Sequence, residues 1–236
     1  MIVETDAAAF VFENVPSILH PRNKHIFEAL RADAEAVGYK TRTVVATATD
    51  YGAAQARQRV FLLGSLESTP DEPAVTHFDA PAGNQLRKQT AGDALRDVDP
   101  SLVLLDDVAV EGRWAEHLRE IPPGMNYKFH SAWAGHPSPT FEAETRYWNF
   151  LLKLSPDRAS WTIPASPGPW TGPFHWESRR LAIAELAALQ TFPAGYQFIG
   201  SRREKVRQIG NAVPSVMAQA MVSATLASVS RAEVAA

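Results

Sequence analysis

Glu13 closes a short apolar run, Ala9-Phe10-Val11-Phe12, and Asn14-Val15-Pro16 follow it. A carboxylate at the carboxyl end of a strand sits where open α/β sheets place their chemistry. Arg57 and Arg59 flank Gln58 just ahead of a second apolar run, Val60-Phe61-Leu62-Leu63. Alternate positions of an extended chain face one side, so the two guanidiniums share a face. A third block runs from Arg180-Leu181 through Glu185 to Leu189-Gln190-Thr191-Phe192-Pro193, with the spacing of an amphipathic helix and a proline stop. The fourth, Gln208-Ile209-Gly210-Asn211-Ala212-Val213-Pro214, reads as a tight turn feeding a helix N-terminus. Such an end can hold an anionic group. Each block alone has a plain structural reading: a strand-end turn, a solvated strand entry, an ordinary amphipathic helix, a connection.

What the chain lacks narrows the chemistry. Cysteine is absent from the 236 residues. That excludes disulfides, thiolate metal sites and a cysteine nucleophile within this sequence. The seven histidines show no paired ligand spacing, so no metal is expected. No run approaches the ~18 apolar residues of a membrane span, and no signal-peptide pattern opens the chain. The expected setting is cytoplasmic, with no membrane partner. Net charge is −3, but its distribution is uneven: residues 67–116 hold eleven acids and four bases, whereas 177–236 hold four acids and seven bases. The acidic stretch reads as a solvated surface rather than a phosphate-binding one.

The elements that must position these residues fall into three segments. Residues 8–66 alternate strand and helix. Thr43-Val44-Val45-Ala46 is a further strand run, and after Pro21 the residues Ile26, Phe27, Leu30, Ala34 and Val37 share a helical face that Gly38 closes. Strand, helix, strand predicts a parallel α/β unit. Residues 67–176 carry thirteen of the seventeen prolines and all six tryptophans, with weak periodicity. Turn signals such as Ile121-Pro122-Pro123-Gly124 and Ser166-Pro167-Gly168-Pro169 recur there. Their aromatic content argues for an irregular but folded domain whose tryptophans serve its core. Residues 177–236 return to helix. Pro214 opens a long Ala-rich one with Val216, Met217, Ala220, Met221 and Ala224 inward.

In this order and spacing, the four blocks resemble the C-terminal motifs of the C5-cytosine DNA methyltransferases. The likeness covers the first and last quarters of the chain. It implies an α/β fold: a partial Rossmann-like methyltransferase domain, with the last strands of the sheet in 1–66 and the C-terminal helix in 177–236. The irregular target recognition domain is then inserted at 67–176. The family's Gly-rich cofactor loop and Pro-Cys nucleophile loop have no counterpart here. The threonine that usually caps the third block is replaced by Ala182, and Ser215 stands where a second proline is usual. The resemblance therefore implies one subunit of a split enzyme, completed by a subunit carrying the Gly-rich loop and the Pro-Cys nucleophile.

Further roles follow from the same likeness. A thiolate attacks C6 of a cytosine flipped out of duplex DNA, which makes C5 able to take the methyl of S-adenosylmethionine. Glu13 then contacts the N3 side of the base, sharing or donating a proton. Arg59, with Arg57, holds O2 and nearby phosphate. Asn211, Ala212 and Val213 resemble the segment that closes over S-adenosylmethionine, most of whose pocket lies on the partner. Arg113, Asn126, Lys128, Arg146 and Arg179 are candidate DNA readers by their chemistry alone. The competing readings are a non-catalytic DNA-binding specificity module and an inactive remnant.

Overall fold

The computed structural model describes residues 4–144 and 146–230. The chain folds as two compact units. One holds Met1–Gly52, Arg57–Arg87 and Ser215–Ala236; the other holds Ala53–Ala56 and Lys88–Pro214. These limits divide the chain differently from the sequence segments above, for two reasons. Residues following 66 remain tied to the sheet, where Lys40 Nζ donates to the Glu67 carbonyl at 2.6 Å and Thr76 N–H to the Asp50 carbonyl at 3.0 Å. Helices past 177 share a core with Leu154 and Ile163.

The first unit is built on a three-stranded sheet. Strand β1 (Ala9–Asn14) is followed by helix α1 (Pro21–Ala36), strand β2 (Lys40–Thr47) and strand β3 (Gln58–Ser65). The order is β1-β3-β2, and both neighbouring pairs are antiparallel. This corrects the expectation of a simple parallel unit. β1 and β2 do run in the same direction, because both oppose β3, but β3 is threaded between them. The connections explain it. The α1 crossover is long enough to return the chain parallel, whereas the short link from β2 to β3 suits an antiparallel neighbour. A short parallel pair, β4 (His77–Phe78) and β5 (Leu86–Arg87), completes the strands among the described residues.

Helix α1 covers one face of the sheet. Phe27, Val60 and Leu62 are buried there, with Phe10, Phe12 and Leu30 packed against them. Fully burying Phe27 is worth about 1.5–3 kcal/mol. Ile26 and Val37, expected on the same face, are instead 54% and 47% exposed. At one residue from Phe27, Ile26 is turned about 100° away around the helix. The opposite face carries Phe61 and Leu63, both buried. Helix α7 (Ser215–Ser230) packs on β1 and β3. Its inward side is Met217, Met221, Thr225 and Ser228. The two hydroxyls are satisfied by their own helix: Thr225 Oγ1 donates to the Met221 carbonyl at 2.8 Å and Ser228 Oγ to the Thr225 carbonyl at 2.6 Å.

The second unit has no regular strand among its described residues, only isolated bridges such as Phe150 with Thr171 and Lys153 with Phe174. Short helices α2 (Ala91–Leu95), α3 (Leu105–Val108), α4 (Ala115–Glu120) and α5 (Ile183–Leu189) precede the longer α6 (Arg202–Asn211). One core joins Leu154, Ile163, Leu181, Leu189, Val206 and Ile209; another joins Leu118, Ile121, Tyr127, Leu151 and Phe174. Gln208 to Asn211 form the last turn of α6 rather than a tight turn, and only Ala212–Pro214 separate α6 from α7. The stretch Arg202–Val229 has the length and hydropathy of a membrane span by composition. It is broken at Pro214, and Met217 and Met221 are fully buried.

Candidate active site

The register of the ladder decides where the charges meet. Glu13 pairs with Phe61 across β1 and β3. Arg59 lies two residues earlier on β3, so it and Glu13 project from one face as diagonal neighbours. Arg59 Nε donates to Glu13 Oε1 at 2.7 Å, with side chains 11% and 32% exposed. Arg59 Nη1 also donates to the Gln58 carbonyl at 2.7 Å. Arg57 is buried, and its carbonyl accepts from Ala48 N–H at 2.8 Å. Burial pushes the Arg57 guanidinium down to about 10, repulsion from Arg59 adds to this, and Glu13 opposes it. Arg59 is lowered by burial as well, against the attraction and hydrogen bond of Glu13. Both remain cations at neutral pH. A carboxylate and two guanidiniums thus share one end of the sheet, the end where β1 finishes and β3 begins.

The turn that leads there is tightly made. Ala48–Tyr51 form a 3-10 turn closed by Gly52 in the left-handed region, φ +96°. The left-handed φ favours glycine there, and a Cβ would also have to displace the His77 ring, which it would approach to 2.6 Å. Tyr51 is buried, and desolvation, then Asp50 and Glu72, push its hydroxyl pKa upward.

In the second unit, Gln55 and Ile163 join residues from two of the four blocks in one hydrogen-bond chain. Gln55 and Gln190 are both fully buried. Ile163 N–H donates to Gln55 Oε1 at 3.4 Å, and Gln55 Nε2 donates to Gln190 Oε1 at 3.1 Å. Gln190 Nε2 in turn donates to the carbonyls of Ile209 at 2.6 Å and Ala212 at 3.1 Å. The segment Asn211-Ala212-Val213 is therefore anchored from below by a buried amide, while Asn211 itself is exposed. Gly210 permits the close approach: a Cβ there would meet the Ala165 backbone at 2.5 Å. At the head of α5, Ala182 provides no side-chain cap. Glu185 keeps the reciprocal half by accepting from Ala182 N–H at 2.7 Å.

The five proposed DNA readers have different surroundings. Arg179 makes a two-bond fork to buried Glu185, Nη1 to Oε2 and Nη2 to Oε1, each 2.7 Å. Asn126 caps the 3-10 turn Tyr127–His130 by accepting from Lys128 N–H, and donates to the Trp148 carbonyl at 2.6 Å. Arg113 lies over the Trp114 ring, 4.4 Å from its centre, Lys128 faces Trp133 at 5.8 Å, and Arg146 faces Tyr147 at 5.7 Å. The expectation that all six tryptophans serve the core needs correction: Trp133 is 76% and Trp148 47% exposed. No spacing in the sequence distinguishes them from Trp114, which packs among aromatic rings. Sequence reasoning also missed Arg202, which lines a cleft with Arg180, Thr171 and Phe174. Arg202 Nη2 donates to the Leu181 carbonyl at 2.6 Å, and its pKa is lowered by burial and then by Arg180.

The model of the C-5 cytosine-specific DNA methylase family matches residues 1–226. The Type II methyltransferase M.SacI of Streptomyces achromogenes is 36% identical over 244 residues, covering 96% of this chain and 62% of its own. M.BbvI of Brevibacillus brevis is 29% identical over 237 residues, with 98% and 61% covered. The chain thus spans about three fifths of these relatives' length. Among solved structures, an E. coli protein assigned as a prophage DNA modification methyltransferase aligns with TM-score 0.63 at 18% identity, covering 98% of this chain and 72% of that one. The Entamoeba histolytica methyltransferase EhMeth aligns with TM-score 0.55 at 13% identity, covering 94% and 62%. These two likenesses bear on the mixed α/β fold.

Proposed function

This chain belongs to the C-5 cytosine-specific DNA methylase family, and we propose that it supplies the proton-sharing carboxylate, the cationic clamp and the DNA-reading surface of a DNA (cytosine-5-)-methyltransferase. The observation that carries the reading is the 2.7 Å pair of Glu13 and Arg59 at the carboxyl end of β1, with Arg57 buried beside it. Cytosine C5 is a poor nucleophile until a thiolate adds at C6. The 236 residues hold no cysteine; in this proposal the thiolate and the Gly-rich loop are carried by a complementary polypeptide. As negative charge develops on the ring, Glu13 shares a proton at N3. Arg59 donates to O2, and Arg57 adds fixed positive charge that needs no reorganisation. Its depressed pKa near 10 still leaves it charged at neutral pH.

S-adenosylmethionine supplies the methyl group when bound. The exposed Asn211 amide beside the small apolar surfaces of Ala212 and Val213 fits one wall of such a site. Gln190 holds that wall in place through the Ala212 carbonyl. The substrate is a cytosine flipped out of double-stranded DNA in the cytoplasm, because the target atom is inaccessible within the stack. Segment 67–176 serves as the target recognition domain. Lys128 with Trp133, and Arg146 with Tyr147 and Trp148, pair a cation for phosphate with an exposed ring for a base. Arg113 is a further phosphate candidate. Asn126 and Arg179 act through the local structure they brace.

The complementary polypeptide has a natural seat at β1. Among the described residues this strand pairs on one side only, with β3. Val11, Val15 and Ile26 are 37%, 43% and 54% exposed. An open apolar edge of this kind invites another strand.

The test is tritiated-methyl incorporation into DNA, with the chain alone and with a complementary polypeptide bearing the Pro-Cys loop. The expected result is no incorporation alone and site-specific incorporation when complemented. Turnover by the chain alone would overturn the division of labour. A complemented complex that binds specific DNA but never methylates it would instead identify a non-catalytic specificity module.

A further inference from the structure

Three side chains away from the four sequence blocks bring ligand atoms together. Glu120, His130 and His136 each place one such atom within 4.8 Å of the others. His130 Nδ1 lies 3.6 Å from Glu120 Oε2, close to the edge of ~3.4 Å expected for a tetrahedron of zinc-length bonds. His130 is 1% exposed, and its Nε2 lies 2.9 Å from the His117 carbonyl. A carbonyl accepts only, so Nε2 carries the proton and Nδ1 turns a lone pair toward Glu120. His136 Nδ1 accepts from the Ser138 N–H at 3.2 Å and lies 2.8 Å from the Ser138 carbonyl, so the backbone holds this ring on its Nδ1 side. His130 thus donates one N–H to a backbone carbonyl, the arrangement that orients metal-binding histidines, and His136 is oriented by the Ser138 backbone. Ring packing alone accounts for the edge-on contacts of His130 with His117, Phe129 and Phe141. It gives no reason for a carboxylate oxygen at Nδ1.

We propose that Glu120, His130 and His136 bind a divalent cation of the zinc class. Two imidazoles and one carboxylate suit zinc or cobalt rather than calcium or magnesium, which take oxygen ligands. His130 ends the 3-10 turn Tyr127–His130, and His136 follows Gly135 in the left-handed region, φ +75°. The cation would therefore tie both ends of the loop that carries Trp133. A fourth coordination position stays open to water. This inference replaces the expectation, drawn from spacing alone, that no metal site is present.

The probe is Co²⁺ titrated into the chelator-treated full chain, alone or in its complex, followed by visible absorption. Methyl transfer plays no part in the readout. One equivalent should give the d–d bands of a low-symmetry, four-coordinate site, and Zn²⁺ should abolish them. Saturating metal, near a hundred times Kd, should raise Tm by roughly 5 °C. His136→Ala and Glu120→Gln should each weaken binding by about tenfold or more, whereas His25→Ala on α1 should leave it unchanged. Glu120 is exposed, so its variant stays folded and informative even if His136→Ala does not. Absence of the bands at ~0.1 mM metal, or bands unchanged in Glu120→Gln, would overturn the proposal and leave a packing cluster only.

Discussion

The sheet end and the aromatic face of the second unit place their polar groups by different means. At the sheet end, a continuous ladder fixes Glu13 opposite Phe61 and hence beside Arg59. A slip of one residue would turn either charge to the other face. Among the described residues of the second unit there is no strand ladder, and Lys128 and Trp133 are set by short-range devices instead. These are the Asn126 cap, the Ser131 hydroxyl on the Lys128 carbonyl at 2.6 Å, and left-handed Gly135. Groups that must meet a reacting atom within tenths of an ångström belong on regular elements. Groups that read a variable ligand can ride on turns, where substitutions move one side chain without shifting its neighbours.

That difference can be tested by what each substitution damages. Glu13→Ala in the complemented enzyme should lower the single-turnover methylation rate by roughly 10²–10⁴-fold with little loss of DNA affinity. Glu13→Gln keeps a donor and should fall less. A normal rate in Glu13→Ala would remove the sheet end from the chemistry.

Glu185→Ala should damage stability rather than chemistry. It strands the Arg179 guanidinium beside a 3%-exposed site, and breaking one side of such a pair costs ~3–5 kcal/mol. Urea unfolding should show a lowered midpoint, and an unchanged midpoint would mean that the fork contributes nothing.

A third effect is carried by pH. His175 is held neutral, its pKa pushed down to about 4 by burial, then by Arg179, with Glu185 and Glu177 opposing. The unfolded chain binds a proton near the ordinary value of 6.5, while the folded chain does not. Stability present above pH 6.5 should therefore be lost as pH falls toward 4, by about 3 kcal/mol. Thermal unfolding across that window should be flatter in His175→Gln; an equal slope would rule this histidine out as the cause.

The smallest effect is expected at the aromatic face. Trp133→Ala removes a ring that is 76% exposed, so stability should hold. DNA affinity should drop by about 5–150-fold, the worth of one stacked base at ~1–3 kcal/mol. Fluorescence anisotropy with duplex DNA measures it, and an unchanged Kd would return Trp133 to an ordinary surface role. Exchanging segment 67–176 with that of a relative should carry the target sequence with it, as sequencing of methylated sites would reveal.

Local signals were legible where neighbours along the chain are neighbours in space. The runs Phe10-Val11-Phe12 and Val60-Phe61-Leu62-Leu63 are strands, and Gly38 closes α1 at φ +98°. The capping pair Ser201 and Glu204 heads α6, a start signal carried by residues three apart in the chain. Charge types at Glu13 and Arg59 were readable too, because alternation along a strand is a local rule.

What lay outside the sequence was decided at long range. Strand order is one case: nothing between residues 9 and 65 states that β3 will enter between β1 and β2, since that depends on which edges pair once the crossover has closed. Burial of Phe27 beside exposed Ile26 depends on where the sheet lies around α1. The fork between Arg179 and Glu185, the chain of amides from Gln55 to Ala212, and the convergence of Glu120 with His130 and His136 join residues on different turns and helices. A sequence fixes which donors and acceptors exist and the faces they take on their own elements. Only packing fixes which of them meet, because burial makes an unmet polar group costly and so selects the arrangement in which partners coincide.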